Sequence, residues 1–218
     1  MVVLVAGPVH AADAAPKTVS ARSLLAQLRV AQPDSAHRYQ RAEFHYDDEW
    51  DADGDGCYTR KEVLIRDAIS IDHVSRSCAV YGRWRSLYDG RITSNPNTLE
   101  VDHLVPLAEA WHAGAWSWSS RKKIAFGNDL GYRWELQPVT ASLNQAKEDD
   151  DPAGWMPPKN RCTYVAAWIG VKARWHLTVD PAEKAALVRW LDRCGDVKVQ
   201  RPGTPDVAKL SAGGPLED

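Results

Sequence analysis

Thr98-Leu99-Glu100-Val101-Asp102-His103-Leu104-Val105-Pro106, joined later by Leu136-Gln137-Pro138-Val139-Thr140-Ala141-Ser142-Leu143-Asn144-Gln145-Ala146-Lys147, decides the fold of this chain. The first stretch alternates and is rich in β-branched residues, which predicts a strand ending at Pro106. Residues 136–140 read as the return strand, and 141–147 has helix-forming composition. On that helix Asn144 and Lys147 are three apart and share a face. The strand–strand–helix order would bring Asp102, His103, Asn144 and Lys147 together. Adjacent strand residues face opposite ways, so Asp102 and His103 share a pocket only if the chain bends, which Pro106 makes plausible.

The four side chains form a chemical set. Asp102 offers a hard oxygen beside an imidazole that takes a proton near neutral pH. Asn144 adds a second oxygen and Lys147 a cation. Cutting a phosphodiester needs a metal on the phosphate and leaving oxygen, a base for the attacking water, and positive charge for the oxyanion. A lone Asp-His pair is more often a surface feature, and an Asn near a helix start is usually a cap. The order and spacing of all four favour the chemical reading.

From Asp102-His103-Leu104-Val105-Pro106-Leu107 to Leu136-x-x-Val139 and Asn144-x-x-Lys147, the chain resembles the ββα-metal core of HNH endonucleases. It is similar to the HNH domain of RNA-guided CRISPR nucleases, and more so to small secreted bacterial HNH-family nucleases. Those also carry flanking pieces such as Asp151-Pro152-x-x-Trp155-x-Pro157-Pro158 and a DxDxDG stretch. The resemblance runs from about Trp50 to Cys194. It implies His103 as general base, Asp102 and Asn144 as ligands of one Mg²⁺ or Mn²⁺ ion, and Lys147 as a phosphate-neutralising cation. The family's middle Asn, nine positions before the ligand Asn, falls here on Glu135, which would hold the base by hydrogen bonding. Asn128 is the candidate substitute.

A second motif, Asp51-Ala52-Asp53-Gly54-Asp55-Gly56-Cys57-Tyr58-Thr59-Arg60-Lys61-Glu62, matches the EF-hand loop position by position. Carboxylates stand at positions one, three and five, Gly56 at the sharp turn, and Glu62 at the closing bidentate position. Cys57 would give only its backbone carbonyl. The bland reading is an Asp/Gly-rich turn that binds nothing. With one loop and two Met, the expected role is a structural Ca²⁺ staple, not a sensor.

The chain has 218 residues, 44% of them hydrophobic, enough for one domain with a sizeable core. Net charge is −2, from 27 Lys and Arg against 29 Asp and Glu, which excludes strong general steering of nucleic acid. The basic runs are local: Arg83-Trp84-Arg85, Lys159-Asn160-Arg161, and Arg121-Lys122-Lys123, the last taken as a nucleic-acid contact. Asp149-Asp150-Asp151 would repel phosphate and is expected to face away. Four cysteines without a CxxC pair argue for disulfides in an oxidising compartment. Of three possible connectivities, Cys57–Cys78 with Cys162–Cys194 lets each bridge bracket one coherent segment. The apolar run 2–6 and the small residues after it look like the end of a signal peptide.

The expected fold is α+β, a single domain in which further helices surround the ββα-metal hairpin and helix. Its parts are a signal-peptide remnant (1–15), an N-terminal helical segment with the calcium loop (18–92), the nuclease core and C-terminal helices (93–198), and a disordered tail (199–218). The function implied is a secreted, metal-dependent endonuclease acting on DNA or RNA, as a monomer and without a membrane. The alternative is a calcium-stabilised extracellular binding module with an inactive HNH core, favoured by Glu135 in place of Asn.

Overall fold

The structure is a computed structural model that describes residues 17–44, 50–51 and 55–211. Strand β1 (Thr18–Ser20) leads into α1 (Ala21–Gln27), and α2 (Thr59–Asp67) runs directly into β2 (Ala68–Val74). Then come β3 (Val80–Arg85), β4 (Ile92–Thr93), β5 (Leu99–His103), α3 (Leu107–His112) and α4 (Ser120–Gly127). Strand β6 (Leu136–Thr140), α5 (Ala141–Lys147), α6 (Arg161–Trp175), α7 (Pro181–Cys194), β7 (Lys198–Gln200) and α8 (Val207–Leu210) complete the order. The result is a mixed α+β domain with three small antiparallel sheets: β1–β7, β2–β3–β4 and β5–β6.

Helix α6 is buried nearly all round, as the apolar run from Tyr164 to Trp175 dictates. Gly170 matters here, because a Cβ at that position would collide with the Tyr132 hydroxyl. In the sequence, Asp180 followed by Pro181 and Glu183 marks a helix start, and α7 begins there. Asp180 accepts from the backbone N–H groups of Ala182 and Glu183, and Glu183 reaches back to Asp180 N, closing a capping box. Two disulfides form, Cys57–Cys78 and Cys162–Cys194, with Cα separations of 5.4 and 5.5 Å. The first ties the loop before α2 to the β2–β3 connection. The second clamps the start of α6 to the end of α7.

Three expectations need correction. The segment 18–92 is not simply helical, because β2, β3 and β4 form a sheet within it. Val80, Gly82 and Trp84 of β3 are buried in strict alternation with exposed neighbours, a period-two signal hidden by the Arg-Trp-Arg composition. Residues 62–69 read in the sequence as the helix leaving the calcium loop, but α2 ends at Asp67, and Ala68 and Ile69 belong to β2. The tail is structured through Ser211. Val199 pairs with Val19, and Leu210 of α8 packs into the main core. A few well-placed apolar side chains outweigh the Pro- and Gly-rich composition. The signal-peptide remnant, Asp53 and residues 212–218 lie outside the described residues.

Candidate active site

Strand β5 pairs with β6 in a register that sets Asp102 opposite Gln137 and His103 opposite Leu136. The strand ends at His103, the chain bends at Leu104 and Val105, and α3 begins after Pro106. That bend lets neighbouring side chains serve one pocket. Asp102 and His103 line a cleft of about 180 Å³ together with Asn144, Glu148, Asp149 and Arg41.

Each member has fixed partners. Lys147 has no exposed surface, and its ammonium lies 3.1 and 3.0 Å from the two Asp102 oxygens. It also donates to the His103 carbonyl at 3.1 Å. The Tyr88 hydroxyl donates a short hydrogen bond to Asp102. Burial drives the Asp102 carboxyl above its ordinary range, while Lys147 and Tyr88 pull the other way. Tyr88 is held well above the usual phenol value, first by burial and then by Asp102, so it stays a proton donor.

His103 is set by the end of α4. Its Nε2 lies 2.8 Å from the Gly127 carbonyl. A carbonyl only accepts, so Nε2 carries the proton and Nδ1 keeps its lone pair. Phe126 stacks near-parallel on the imidazole at 6.2 Å. Burial pushes the His103 pKa down to about 3, and the charges of Arg41 and Lys147 push the same way. The ring is therefore neutral and held in one orientation.

Of the residues named from sequence, Asp102, His103 and Asn144 share the cleft. Lys147 lies beneath it, engaged by Asp102 and His103. Asn144 donates through Nδ2 to Glu100 at 2.8 Å. Glu135 is fully buried and accepts from Trp175 Nε1 at 3.0 Å; the Gly127 carbonyl takes the orienting place expected of it. Asn128 accepts from Thr59 Oγ1 and donates to the Ile124 carbonyl. Asp149, expected to face away, lines the cleft with Glu148. Within Arg121-Lys122-Lys123, Arg121 is exposed and Lys122 sits over the Trp118 ring. Lys123 is buried against Glu43 and Trp111.

Sequence reasoning missed Tyr88, Gly127 and Arg41, each of which reaches the site through tertiary packing from far along the chain. Arg41 opens a 3-10 turn anchored by the buried Phe44. A larger cavity of about 720 Å³ lies between Thr59, Tyr132, Arg201 and Leu210, but it contains none of this chemistry.

At the calcium-loop motif, Gly56 adopts φ +87° and its N–H donates to Asp51 at 2.7 Å. Asp55 accepts from Cys57 N at 2.7 Å. The loop thus folds back on its first carboxylate, with Gly56 taking a conformation that other residues resist. Cys57 and Cys78 are bonded to each other and offer no thiolate to a metal.

An antiparallel hairpin followed by a helix thus brings an Asp-His pair and an Asn to one cleft. The family of the C-terminal domain of GmrSD restriction endonucleases matches residues 58–190, and the chain belongs to that HNH-type family. It is also similar to an "Uncharacterized secreted protein" of Arthroderma benhamiae, with 37% identity over 189 residues, 86% of this chain and 91% of the relative. No solved structure matches the chain.

Proposed function

We propose that the protein is a secreted, metal-dependent endonuclease that hydrolyses DNA phosphodiester bonds with His103 as general base. The observation that carries this reading is the shared cleft of Asp102, His103 and Asn144, with the His103 proton held on Nε2 by Gly127. Secretion is supported by the two disulfides and by the printed name of the Arthroderma relative.

The donor set fits one divalent ion at Asp102 and Asn144. An ionised carboxylate has about four lone-pair sites, so the contacts from Lys147 and Tyr88 leave Asp102 capacity on its cleft side. With its Nδ2 given to Glu100, Asn144 would bind through its carbonyl oxygen, and Mg²⁺ is content with few protein oxygens because it keeps its waters. Such an ion would supply Lewis-acid charge to the phosphate and the leaving oxygen. His103 Nδ1 takes the proton of the attacking water as the new P–O bond forms, and the P–O bond to the sugar breaks with its electron pair going to the leaving oxygen, which takes a proton from solvent water. Lys147 is a positioning residue that holds Asp102. Arg41 is the cation at the cleft surface that meets the charge developing on the phosphoryl oxygens. Arg41→Ala is expected to lower the cleavage rate by about 10²-fold, the scale of losing one oxyanion donor, and Arg41→Lys to recover part of it. Unchanged rates in both would remove Arg41 from the chemistry.

Gel assay of supercoiled plasmid tests the function itself. Nicking with Mg²⁺ or Mn²⁺ that stops with chelator is the expected result, and a parallel RNA substrate reads polymer preference. A folded protein that nicks nothing under any divalent ion would return the chain to the binding-module reading. Gly127 weakens that alternative, because it supplies the orienting contact that the missing Asn would have supplied.

The Asp51–Glu62 loop is proposed as a structural Ca²⁺ site that stabilises the folded state by mass action. At a hundred times the dissociation constant the gain is about 2.7 kcal/mol. Thermal melts should shift upward with Ca²⁺ in the wild type and not in Asp51→Ala. Identical melts with Ca²⁺ and with chelator would exclude the site.

A further inference from the structure

We infer that the outer face of the β2–β3–β4 sheet is a docking track for single-stranded nucleic acid leaving the cleft. The identity of the polymer rests on the nuclease reading. The face itself rests on separate observations.

Strand β3 turns Tyr81, Arg83 and Arg85 outward while Val80, Gly82 and Trp84 go inward. In register, Tyr81 stands opposite His73, Arg83 opposite Ser70, and Arg85 opposite Ile92. The rings of His73 and Tyr81 stack at 6.0 Å with 23° between planes. Bare apolar groups share this face: Tyr81 is 57% exposed, and Ile92, opposite Arg85, is 39% exposed. A solvated sheet face ordinarily carries polar residues there.

The charge of the region is opposite to that of the whole chain. Residues 68–93 contain Arg76, Arg83, Arg85 and Arg91 against Asp72 and Asp89, within a protein of net charge −2. Asp89 is already used, accepting from Thr140 Oγ1 and from Arg91 N. Arg83 and Arg85 make no carboxylate pair among the described residues. Two guanidinium groups two residues apart on a strand stand roughly 7 Å apart, a spacing that suits neighbouring phosphates of an extended strand. A stacked aromatic pair beside them is the sequence-tolerant platform that single strands use. A duplex, with its bases already stacked, has no use for it.

The sheet is also joined to the site through the chain. Strand β3 continues into Ser86, whose Oγ accepts from Thr140 N at 3.1 Å where α5 starts, and then into Tyr88, the partner of Asp102. Arg85 is three residues from Tyr88, at most about 11 Å of chain. A strand held in the cleft reaches Arg85 within a few nucleotides.

The test is fluorescence anisotropy of a labelled 20-nucleotide DNA strand across a salt series, with chelator present so that nothing is cut. Arg83→Glu/Arg85→Glu should weaken binding by tenfold or more. The neutral pair Arg83→Gln/Arg85→Gln should make the slope of log K against log salt shallower by about 1.4, as loss of two phosphate contacts from a single strand requires. Tyr81→Ala should weaken binding without changing that slope. Hydrolysis of bis(p-nitrophenyl) phosphate, which fills only the cleft, should be unchanged in all of them. Wild-type binding in all these variants would overturn the track while leaving the nuclease reading intact. Loss of binding in a protein that cuts nothing would support the track and sink the nuclease reading. Self-association that Ile92→Ser abolishes, with DNA binding unchanged, would show the face to be a protein contact and also overturn the track.

Discussion

His103→Ala is expected to lower plasmid cleavage by about 10²- to 10⁴-fold, the contribution of a positioned general base. The surroundings of the ring keep it neutral and fix its orientation. Gly127 fixes the proton on Nε2, Phe126 stacks on the ring, and burial with two nearby cations holds the pKa down to about 3. The imidazole is buried, so alanine leaves a hole that destabilises the site as well as removing the base. His103→Gln separates the two effects, since its amide N–H can still donate to the Gly127 carbonyl but cannot accept the proton of water. Both variants should be folded by circular dichroism and nearly inactive. Wild-type activity in a purified, folded variant would refute the assignment.

The largest expected loss of stability lies away from the cleft, at Lys172. Its ammonium is wholly buried and bonds Glu109 and Glu183, each at 2.6 Å, and the Thr178 carbonyl at 2.9 Å. Lys172→Ala strands two carboxyl groups in the interior and is expected to cost about 3–5 kcal/mol, measured by urea unfolding. Adding Glu109→Gln and Glu183→Gln to Lys172→Met should recover much of that, because the cost is uncompensated charge and not lost volume alone. A loss below about 1 kcal/mol for Lys172→Ala would show that the network does not hold α3, α6 and α7 together.

The same network makes stability depend on pH. Two carboxyls share one ammonium, and burial holds the Glu183 carboxyl up to about 7 against the pull of Lys172. The folded value is raised, so the folded chain binds the extra proton. This contribution is complete below the unfolded value near 4.5 and is lost as pH rises through about 7. Glu183→Gln keeps the capping box and should flatten unfolding free energy over that window. An unchanged slope would assign the proton elsewhere.

The hairpin, its return strand and the following helix were legible because alternation, Pro106 and helix composition are local signals. The cap of α7 at Asp180 and Glu183 was legible for the same reason, and the bracketing of segments was enough to pair the cysteines. The parts that were not legible arise from contacts distant in sequence. Gly127 orients His103 through a backbone carbonyl, which no side-chain pattern announces. Arg41 stands outside the family-matched region and enters the cleft only because Phe44 anchors its turn in the core. Composition misled at β3, where alternate burial hides behind two arginines, and at the tail, where Val199 and Leu210 dock despite flanking Pro and Gly. Lys147 shows a further limit. Its helical spacing from Asn144 was readable, but its burial beneath Asp102 was not.

The most direct test of the shared cleft is a crystal of the protein grown with Mn²⁺ and examined by anomalous scattering. The expected result is one strong peak at inner-sphere distance, about 2.0–2.2 Å, from oxygens of Asp102 and Asn144, with His103 Nδ1 facing the phosphate side of the ion. A well-occupied ion bound by other residues, with no density between Asp102 and Asn144, would contradict it.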